Sequence, residues 1–159
     1  MKSAETVKVT TFVDVSPEDA FDVFTRETDL WWRRGPRYRT SDKRSTMRFE
    51  PGAGGRLVES FDDGAERDIG RVLVWEPASR LVLEWRAQNF VHDEKTEVDV
   101  RFEPLNGGTR VVIEHRGWDA IRADHPARHG LTGSAFAAMI GHWWAELATS
   151  LRAHAAKRP

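Results

Sequence analysis

Hydrophobic and polar residues in the last part of the chain follow the period of an α-helix. Between Ser134 and Lys157 the apolar residues recur three or four positions apart and fall on one stripe, which comprises Phe136, Met139, Ile140, Trp143, Leu147 and Leu151. Trp144 lies at the margin of this stripe, and the many alanines favour a helix. The pattern predicts a long amphipathic helix that packs on a broad apolar partner, such as the face of a sheet.

The beginning of the chain predicts a strand followed by short helices. Residues 5–15 alternate, and one side of the predicted strand carries Val7, Val9, Thr11 and Val13. Ser16 and Pro17 are typical of a helix N-terminus, because serine caps free N–H groups and proline fits the first helical position. We therefore expect a helix from Pro17 to Arg26 and a second short turn from Thr28 to Trp32.

The middle of the chain predicts an antiparallel sheet made of hairpins. Turns rich in glycine, proline or asparagine separate the apolar segments, and the predicted strands are Met47 to Glu50, Arg56 to Phe61, Arg67 to Trp75, Leu81 to Ala87, Lys95 to Glu103 and Thr109 to Arg116. Both faces of the second hairpin are apolar in places. Its inward face can therefore be assigned only if a β-bulge is allowed.

The last hairpin has the clearest register. Pairing Glu103 with Arg110 brings six residues to one face, namely Val98, Val100, Phe102, Val111, Ile113 and His115. The other face has a pattern typical of exposure to solvent and carries Glu97, Asp99, Arg101, Val112 and Glu114. The hairpin therefore predicts one histidine, His115, on the apolar face of the sheet.

Two stretches show no regular period. The stretch from Arg33 to Arg48 holds seven arginines and lysines against Asp42, which favours a solvated loop and leaves a mobile lid or a local anion site as alternatives. The stretch from Trp118 to Thr132 is interpreted as a polar connection that leads into the C-terminal helix.

Composition narrows the class of protein. At 159 residues the chain is long enough for a core of ordinary size, and we expect one domain over residues 1–159. With 24 basic and 25 acidic residues it offers no charge argument for nucleic acid or an anionic membrane. We see neither an apolar run of membrane-spanning length nor a signal peptide, so we expect a cytoplasmic protein.

Two residue types bear on chemistry. The absence of cysteine excludes a disulfide framework, a thiolate nucleophile and a thiolate metal site. The seven tryptophans supply large apolar surfaces with one polar group each, a mixture suited to wide cores and ligand pockets.

The order of elements and four local motifs resemble a known superfamily. The motifs are the helix entry from Val15 to Phe21 with the later Trp31 and Trp32, the turn from Pro51 to Arg56, the segment from Gly70 to Trp85, and the final helix with Gly141, Trp143 and Leu147. Together they resemble the SRPBCC or START-like helix-grip superfamily, which includes lipid-transfer domains, the birch-pollen-allergen fold and polyketide cyclases. The closest resemblance is to the branch named after the C-terminal domain of the activator of heat-shock protein 90 ATPase.

The resemblance implies a fold and a cavity. We expect an α+β helix-grip fold, in which a curved antiparallel sheet of about seven strands surrounds the long C-terminal helix in the order β-α-α-β6-α. A deep and mostly apolar cavity is implied between the sheet and that helix. The resemblance is to a stand-alone domain, with no room for the N-terminal domain of the co-chaperone, so it predicts the fold better than the activity.

The candidate polar residues of the cavity are His115 and Glu59. His115 is either a hydrogen-bonded core histidine or a pocket residue that orients a ligand or carries a proton. Glu59 is either a rim carboxylate or a second inward group, and it forms an acid–base pair with His115 only if the two approach one another. The predicted cavity lining is Trp31, Trp32, Glu59, Trp85, Val98, Val100, Ile113, His115, Phe136, Ile140 and Trp143.

A metal site is a weaker alternative. His125 and His129 share a face if their segment is helical, with Asp124 beside them, but Pro126 disfavours a helix there and no third ligand is evident. His142 and His154 are expected at the surface or rim of the final helix. We predict no metal and no cofactor, and no nucleophile-elbow, dinucleotide or zincin motif is present.

Three functions remain open at this point. The leading hypothesis is a protein that binds an apolar or amphipathic small molecule. The alternatives are an enzyme of the cyclase, dehydratase or hydrolase type, and an interaction module with a chaperone or homodimer partner. Nucleic-acid and membrane partners are not expected.

Overall fold

The protein is described by a computed structural model that covers residues 5–40, 43–86, 90–91 and 93–158. Its strands are β1 (Val7–Val13), β2 (Ser45–Phe49), β3 (Arg56–Phe61), β4 (Glu66–Glu76), β5 (Arg80–Trp85), β6 (Thr96–Leu105) and β7 (Gly108–Arg116). Its helices are α1 (Pro17–Arg26), α2 (Thr28–Trp31) and α3 (Gly133–Ala155). Two 3₁₀ turns, Trp118–Ala120 and Pro126–Arg128, lie in the connection before α3.

The seven strands form one antiparallel sheet in the order β1-β7-β6-β5-β4-β3-β2. This sheet curves around α3, and α1 and α2 pack at one end. The predicted α+β helix-grip fold and its β-α-α-β6-α order are therefore confirmed. Ala87, the predicted end of the fifth strand, lies outside the described residues.

The predicted registers are confirmed where the sequence pattern was clear. Glu103 pairs with Arg110 and Val98 with His115, which places His115 on the inner face of the last hairpin. The β4–β5 pair changes register between Val72 and Val74, which is the bulge that the pattern of the second hairpin required. The Oγ of Ser16 accepts the N–H of Asp19 at 3.1 Å, and this cap begins α1 at the predicted residue.

The predicted solvent pattern on the outer face of β6 and β7 is wrong at two positions. Asp99 is 2% exposed and Val112 is 7% exposed. Arg80 and Arg116 from the neighbouring strands bond the Asp99 carboxylate at 2.8 and 3.1 Å. Burial of a paired carboxylate on a sheet surface depends on these cross-strand partners, which one strand's alternation does not reveal.

The apolar stripe of α3 is rotated relative to the prediction. Trp144, expected at the margin, is 1% exposed, whereas Trp143, expected at the centre, is only half-buried. Phe136, Leu147 and Leu151 are buried as expected. The indole N–H of Trp144 donates to His115 inside the protein. This contact explains why the Trp144 side of α3 faces the sheet.

The stretches interpreted as a solvated loop and a polar connection both contribute buried side chains. Arg39 in the first stretch is 6% exposed. In the second, Trp118 and Ile121 pack with Phe136 in a small separate core, and Arg128 bonds the carboxylate of Glu5. The solvated-loop interpretation is thus wrong for Arg39, whereas Arg34 and Arg37 are exposed as it predicts. Asp42 lies outside the described residues.

Among the helices that the structure describes, none has the length and hydropathy needed to cross a bilayer.

Candidate functional site

A cavity of about 940 Å³ opens between the inner face of the sheet, α3 and the segment that follows α2. Its walls come from β3, β4, β5 and β7, from α3, and from both irregular stretches. The lining residues are Trp32, Pro36, Arg37, Tyr38, Arg39, Thr40, Glu59, Arg67, Ile69, Trp85, Arg86, His115, Trp118, Pro126, Ala127, His129, Met139, Ile140, Trp143 and Trp144. This volume is in the range of pockets that hold drug-sized ligands.

Aromatic rings form a continuous wall of the cavity. Trp32 stacks on Trp85 with ring centroids 6.0 Å apart, and Tyr38 stacks on Trp143 at the same separation. Trp143 and Trp144 meet edge to face at 5.0 Å. Such a wall offers flat, polarisable faces to a ligand while each ring is held in place by its neighbours.

The segment of residues 36–40 is tied to this wall by hydrogen bonds. The indole N–H of Trp143 donates to the carbonyl of Arg37 at 2.8 Å, and that of Trp32 donates to the carbonyl of Tyr38 at 3.0 Å. The guanidinium of Arg37 pairs with Glu146 of α3 at 2.6 Å. The segment thus crosses from α2 to the rim of α3 and forms part of the mouth.

Arg39 fixes the base of this segment. Its guanidinium donates to Asp29 at 2.7 Å and to the carbonyls of Trp32 and Ser45 at 2.8 and 3.1 Å. Burial raises the pKa of Asp29, but the N–H of Met47 and the Arg39 charge outweigh it, so that the pKa lies below its ordinary value. The pair holds the mouth segment against α2 and β2.

His115 lies at the inner end of the cavity with both ring nitrogens bonded. The indole of Trp144 can only donate, so Nδ1 of His115 accepts its N–H at 3.0 Å. The proton therefore resides on Nε2, which donates to Oγ1 of Thr96 at 2.7 Å, and Thr96 in turn donates to the carbonyl of Trp85. The geometry assigns the neutral Nε2–H tautomer.

Burial keeps this imidazole neutral. Desolvation lowers the pKa of His115 from its ordinary 6.5 to about 3. A second ring proton would also point Nδ1–H at the N–H of Trp144. The arrangement makes His115 a fixed hydrogen-bonding element at neutral pH, unlike a histidine poised to exchange protons.

Glu59 is fully buried and its carboxylate accepts hydrogen bonds from the mouth segment and β2. Oε1 accepts the backbone N–H of Thr40 at 3.1 Å and the Thr40 hydroxyl, and Oε2 accepts the hydroxyl of Ser45 at 2.7 Å. Glu59 and His115 both line the cavity, but each bonds its own set of partners. No described contact joins the two side chains into an acid–base pair.

Arg67 lies directly across the β3–β4 pair from Glu59. Its guanidinium donates to Oγ1 of Thr40 at 3.3 Å and to the carbonyl of Arg86 at 3.4 Å, both long contacts. Burial lowers the pKa of Arg67 from its ordinary value, although the Glu59 charge acts in the opposite direction. The side chain places a weakly bonded positive charge on the cavity wall.

The structure brings six of the predicted site residues together on the cavity wall: Trp32, Glu59, Trp85, His115, Ile140 and Trp143. The other five lie outside it. Trp31, Val98, Val100 and Ile113 are at most 1% exposed in the main core, and Phe136 belongs to the smaller one. Side chains already covered by core packing leave no surface for a ligand, although they shape the sheet behind it. A ligand-binding role for the six stays a prediction.

Sequence reasoning missed several lining residues. Tyr38, Thr40 and Arg67 belong to segments whose inward side the pattern left open, because one is irregular and the other contains a bulge. The single tyrosine within the arginine-rich stretch was a usable signal, since an aromatic residue among charges is often packed on a surface.

The two histidines that a helical segment would place on one face do not lie together. His125 is buried, where Nδ1 accepts the N–H of Ala127 and Nε2 lies 3.0 Å from Glu94. His129 ends the 3₁₀ turn in a left-handed conformation and is exposed. Within the described part of the chain, no cluster of three or more potential metal ligands is found.

Comparisons with known proteins place this fold. A structure of the anthrahydroquino-γ-pyrone synthase Txn09 in complex with SUM is 29% identical, covers 94% of this chain and 99% of its own, and has a TM-score of 0.55. A protein from Rhodobacter sphaeroides is 25% identical, with 96% and 95% of the two chains covered and a TM-score of 0.58. The Aha1 dimer from Colwellia psychrerythraea is 17% identical, with 96% and 98% covered and a TM-score of 0.63.

No curated protein matches the chain significantly. The model of one family, described as Activator of Hsp90 ATPase homolog 1-like protein, matches residues 14–152. That range begins before α1 and ends within α3, so it includes nearly every element of the cavity wall. The chain belongs to the family of Activator of Hsp90 ATPase homolog 1-like proteins.

Proposed function

We propose that this protein binds a flat aromatic small molecule in the cavity between its sheet and α3. The observation that carries the proposal is the wall of stacked rings formed by Trp32, Trp85, Tyr38 and Trp143 around a space of about 940 Å³. Ring faces favour planar ligands over flexible chains, because a planar ligand loses little conformational entropy and stacks over its whole area.

The comparison with Txn09 supports an aromatic ligand. At 29% identity over nearly the full chain, that relative is described as an anthrahydroquino-γ-pyrone synthase. Its name denotes a fused-ring product, and a fused-ring molecule matches the flat wall of this cavity. The ligand class proposed here is thus a polycyclic aromatic compound.

Fluorescence titration and native mass spectrometry test the proposal. We expect 2-hydroxymethylanthraquinone to quench tryptophan emission and to form a one-to-one complex, whereas oleate binds more weakly. Trp143→Leu removes a ring of the wall and should weaken binding roughly tenfold. Trp75→Leu is the matched control, because Trp75 packs on Phe21 and Phe49 away from the cavity. Equal affinities of the two variants, or no complex with the wild type, would contradict the proposal.

A cyclase, dehydratase or hydrolase on the same fold is the second candidate, and the description of Txn09 as a synthase favours it. Here Glu59 is the better candidate for proton transfer. Both nitrogens of His115 are bonded, whereas Oε2 of Glu59 accepts one bond from Ser45 and has a second lone pair. For an enzyme, Glu59→Gln should abolish turnover of an aromatic polyketone while anthraquinone binding survives. Turnover that is unaffected by this change would exclude the proposed role of Glu59.

The chaperone and homodimer partners stay predictions, as does a location in the cytoplasm. The sequence identity to the Aha1 dimer is 17%, and this similarity supports the fold alone. Light scattering of the purified protein over a concentration series checks for dimers. A chaperone-regulator role predicts a change in chaperone ATPase rate when this protein is added.

A further inference from the structure

The charged groups on the cavity wall differ in how strongly the protein bonds them. Four arginines line the cavity, and Glu59 is the only aspartate or glutamate among the lining residues of the described chain. Arg39 is neutralised by Asp29 and Arg37 by Glu146, both from outside the lining. The carboxylate of Glu59 is bonded by two hydroxyls and a backbone N–H. Because these donors already hold the Glu59 carboxylate, the neighbouring Arg67 keeps donor capacity for a further oxygen acceptor.

Arg67 is the arginine on this wall whose bonding is weakest. It lies beside the aromatic wall, because its acceptor carbonyl belongs to Arg86, the residue after Trp85. A guanidinium has five N–H donors, and the two protein acceptors of Arg67 lie at 3.3 and 3.4 Å. A half-buried charge with poor partners gains more from an anionic acceptor than an exposed one does.

A second donor lies on the same wall. The indole of Trp118 is 2% exposed and lines the cavity, and its Nε1–H finds no acceptor among the described residues. An indole nitrogen can only donate, and leaving such a group unpaired when buried is unfavourable. The guanidinium of Arg67 and the indole N–H of Trp118 are both hydrogen-bond donors that the protein does not fully satisfy. They fit a ligand with several oxygen acceptors.

We propose that the ligand of this cavity is an aromatic carboxylate, with Arg67 binding the carboxylate and Trp118 donating to another ligand oxygen. This inference rests on the proposed function and narrows its ligand class. A planar carboxylate matches the fork of a guanidinium, so two parallel hydrogen bonds form while the ring system stacks beside Trp85.

The test compares two probes of nearly the same shape, one with a charged carboxylate and the other with a neutral amide in its place. Anthraquinone-2-carboxylate and anthraquinone-2-carboxamide are titrated into the wild type, and we expect the carboxylate to bind roughly 10- to 100-fold more tightly. Arg67→Gln should remove this preference and leave amide affinity nearly unchanged. Arg67→Lys should keep part of it, because the charge stays and the fork is lost. Trp118→Phe should weaken both probes.

Arg71→Gln is the control for loss of one positive charge from β4. Arg71 is exposed and lies outside the cavity lining, so this variant should keep the preference of the wild type. Circular dichroism of each variant confirms that it is folded. If Arg67→Gln keeps the preference, or if the wild type binds both probes equally, the carboxylate assignment is wrong while the aromatic site stands. If the wild type binds neither probe, the proposed function fails with it.

Discussion

At the scale of single residues, the most informative finding is that the hydrogen bonds of His115 disfavour the proton-transfer role that its position on the inner face suggested. His115 faces the cavity, as the hairpin register predicted, yet Trp144 and Thr96 occupy both nitrogens. The same three residues connect α3, β7 and β6. A polar chain of this kind fixes which face of the helix packs inward, since any other rotation leaves buried donors without acceptors.

His115 should make stability depend on pH between 7 and 5. Its folded pKa of about 3 lies below the 6.5 of the unfolded chain, so the unfolded state takes up the proton first. Stability is complete above pH 6.5 and is lost as the pH falls toward 3. Between pH 7 and 5, the free energy of unfolding of the wild type should fall by about 2 kcal/mol more than that of His115→Gln, as measured by urea unfolding. Parallel curves would show that the site does not exclude the proton.

Arg39 should be one of the residues most costly to remove. Arg39→Ala leaves the partly buried carboxylate of Asp29 without its buried cation and the carbonyls of Trp32 and Ser45 without this donor. We expect the free energy of unfolding to fall by about 3–5 kcal/mol. Arg34→Ala is the matched control, because Arg34 pairs with the same carboxylate at 2.8 Å but is largely exposed. This change should lower the free energy of unfolding by less than ~1 kcal/mol. Chemical denaturation of both variants checks the difference. Similar losses would mean that burial does not strengthen the Arg39 pair.

At the scale of elements, a bulge in β4 decides which of its side chains enter the cavity. The register shift of the β3–β4 pair leaves Ile69 as the extra residue, so that Arg67 and Ile69 face inward before Gly70 and Val72 faces inward after it. Alternation along the strand could not show this, because a bulge changes the parity of every later residue. The position of Arg67 on the wall is a consequence of that irregularity.

Gly70 should therefore tolerate no side chain. A Cβ there would lie 2.3 Å from the carbonyl oxygen of Glu84 on the paired strand, so Gly70→Ala should lower the free energy of unfolding by about 1–3 kcal/mol. Gly141→Ala is the contrasting change within α3, where the nearest atom is a methyl of Val7 at 3.6 Å. It should stabilise the protein by about 0.5–1 kcal/mol, because alanine favours a helix interior. Denaturant midpoints compare the two, and a tolerated Gly70→Ala would contradict the close approach.

At the scale of the whole molecule, the cavity depends on segments far apart in sequence. Trp32, Trp85 and Trp143 come from a loop, a strand and a helix, and their rings meet at about 6 Å. The mouth segment is bonded to Asp29 of α2 and to Trp143 of α3. Ligand binding should consequently stabilise the entire fold and not one element alone.

This coupling predicts a ligand-dependent unfolding transition. At an anthraquinone-2-carboxylate concentration of 100 times Kd, the free energy of unfolding should rise by about 2.7 kcal/mol. Trp143→Leu should reduce this gain at the same concentration, while Trp75→Leu should leave it intact. Thermal unfolding followed by circular dichroism measures both. A gain that is the same in both variants would place the ligand elsewhere.

The sequence by itself determined the order of elements, the start of α1 and the register of the last hairpin. These are local properties: a serine cap, a proline at the first helical position and strict alternation act within a few residues of one another. His115 could also be identified as an inward polar group, because it lies on a strand with a clear face, whereas the pattern left Glu59 open between the rim and the inner face.

Only the tertiary structure decided which of these residues reach the cavity and in what chemical state. Val98 and Ile113 share the face of His115 but are covered by other core residues. Arg39 and Trp144, which looked exposed or marginal, are buried because partners from distant segments bond them. The long-range contacts in this fold set both the burial and the charge of each group, and neither is a property of the local pattern that produced its strand or helix.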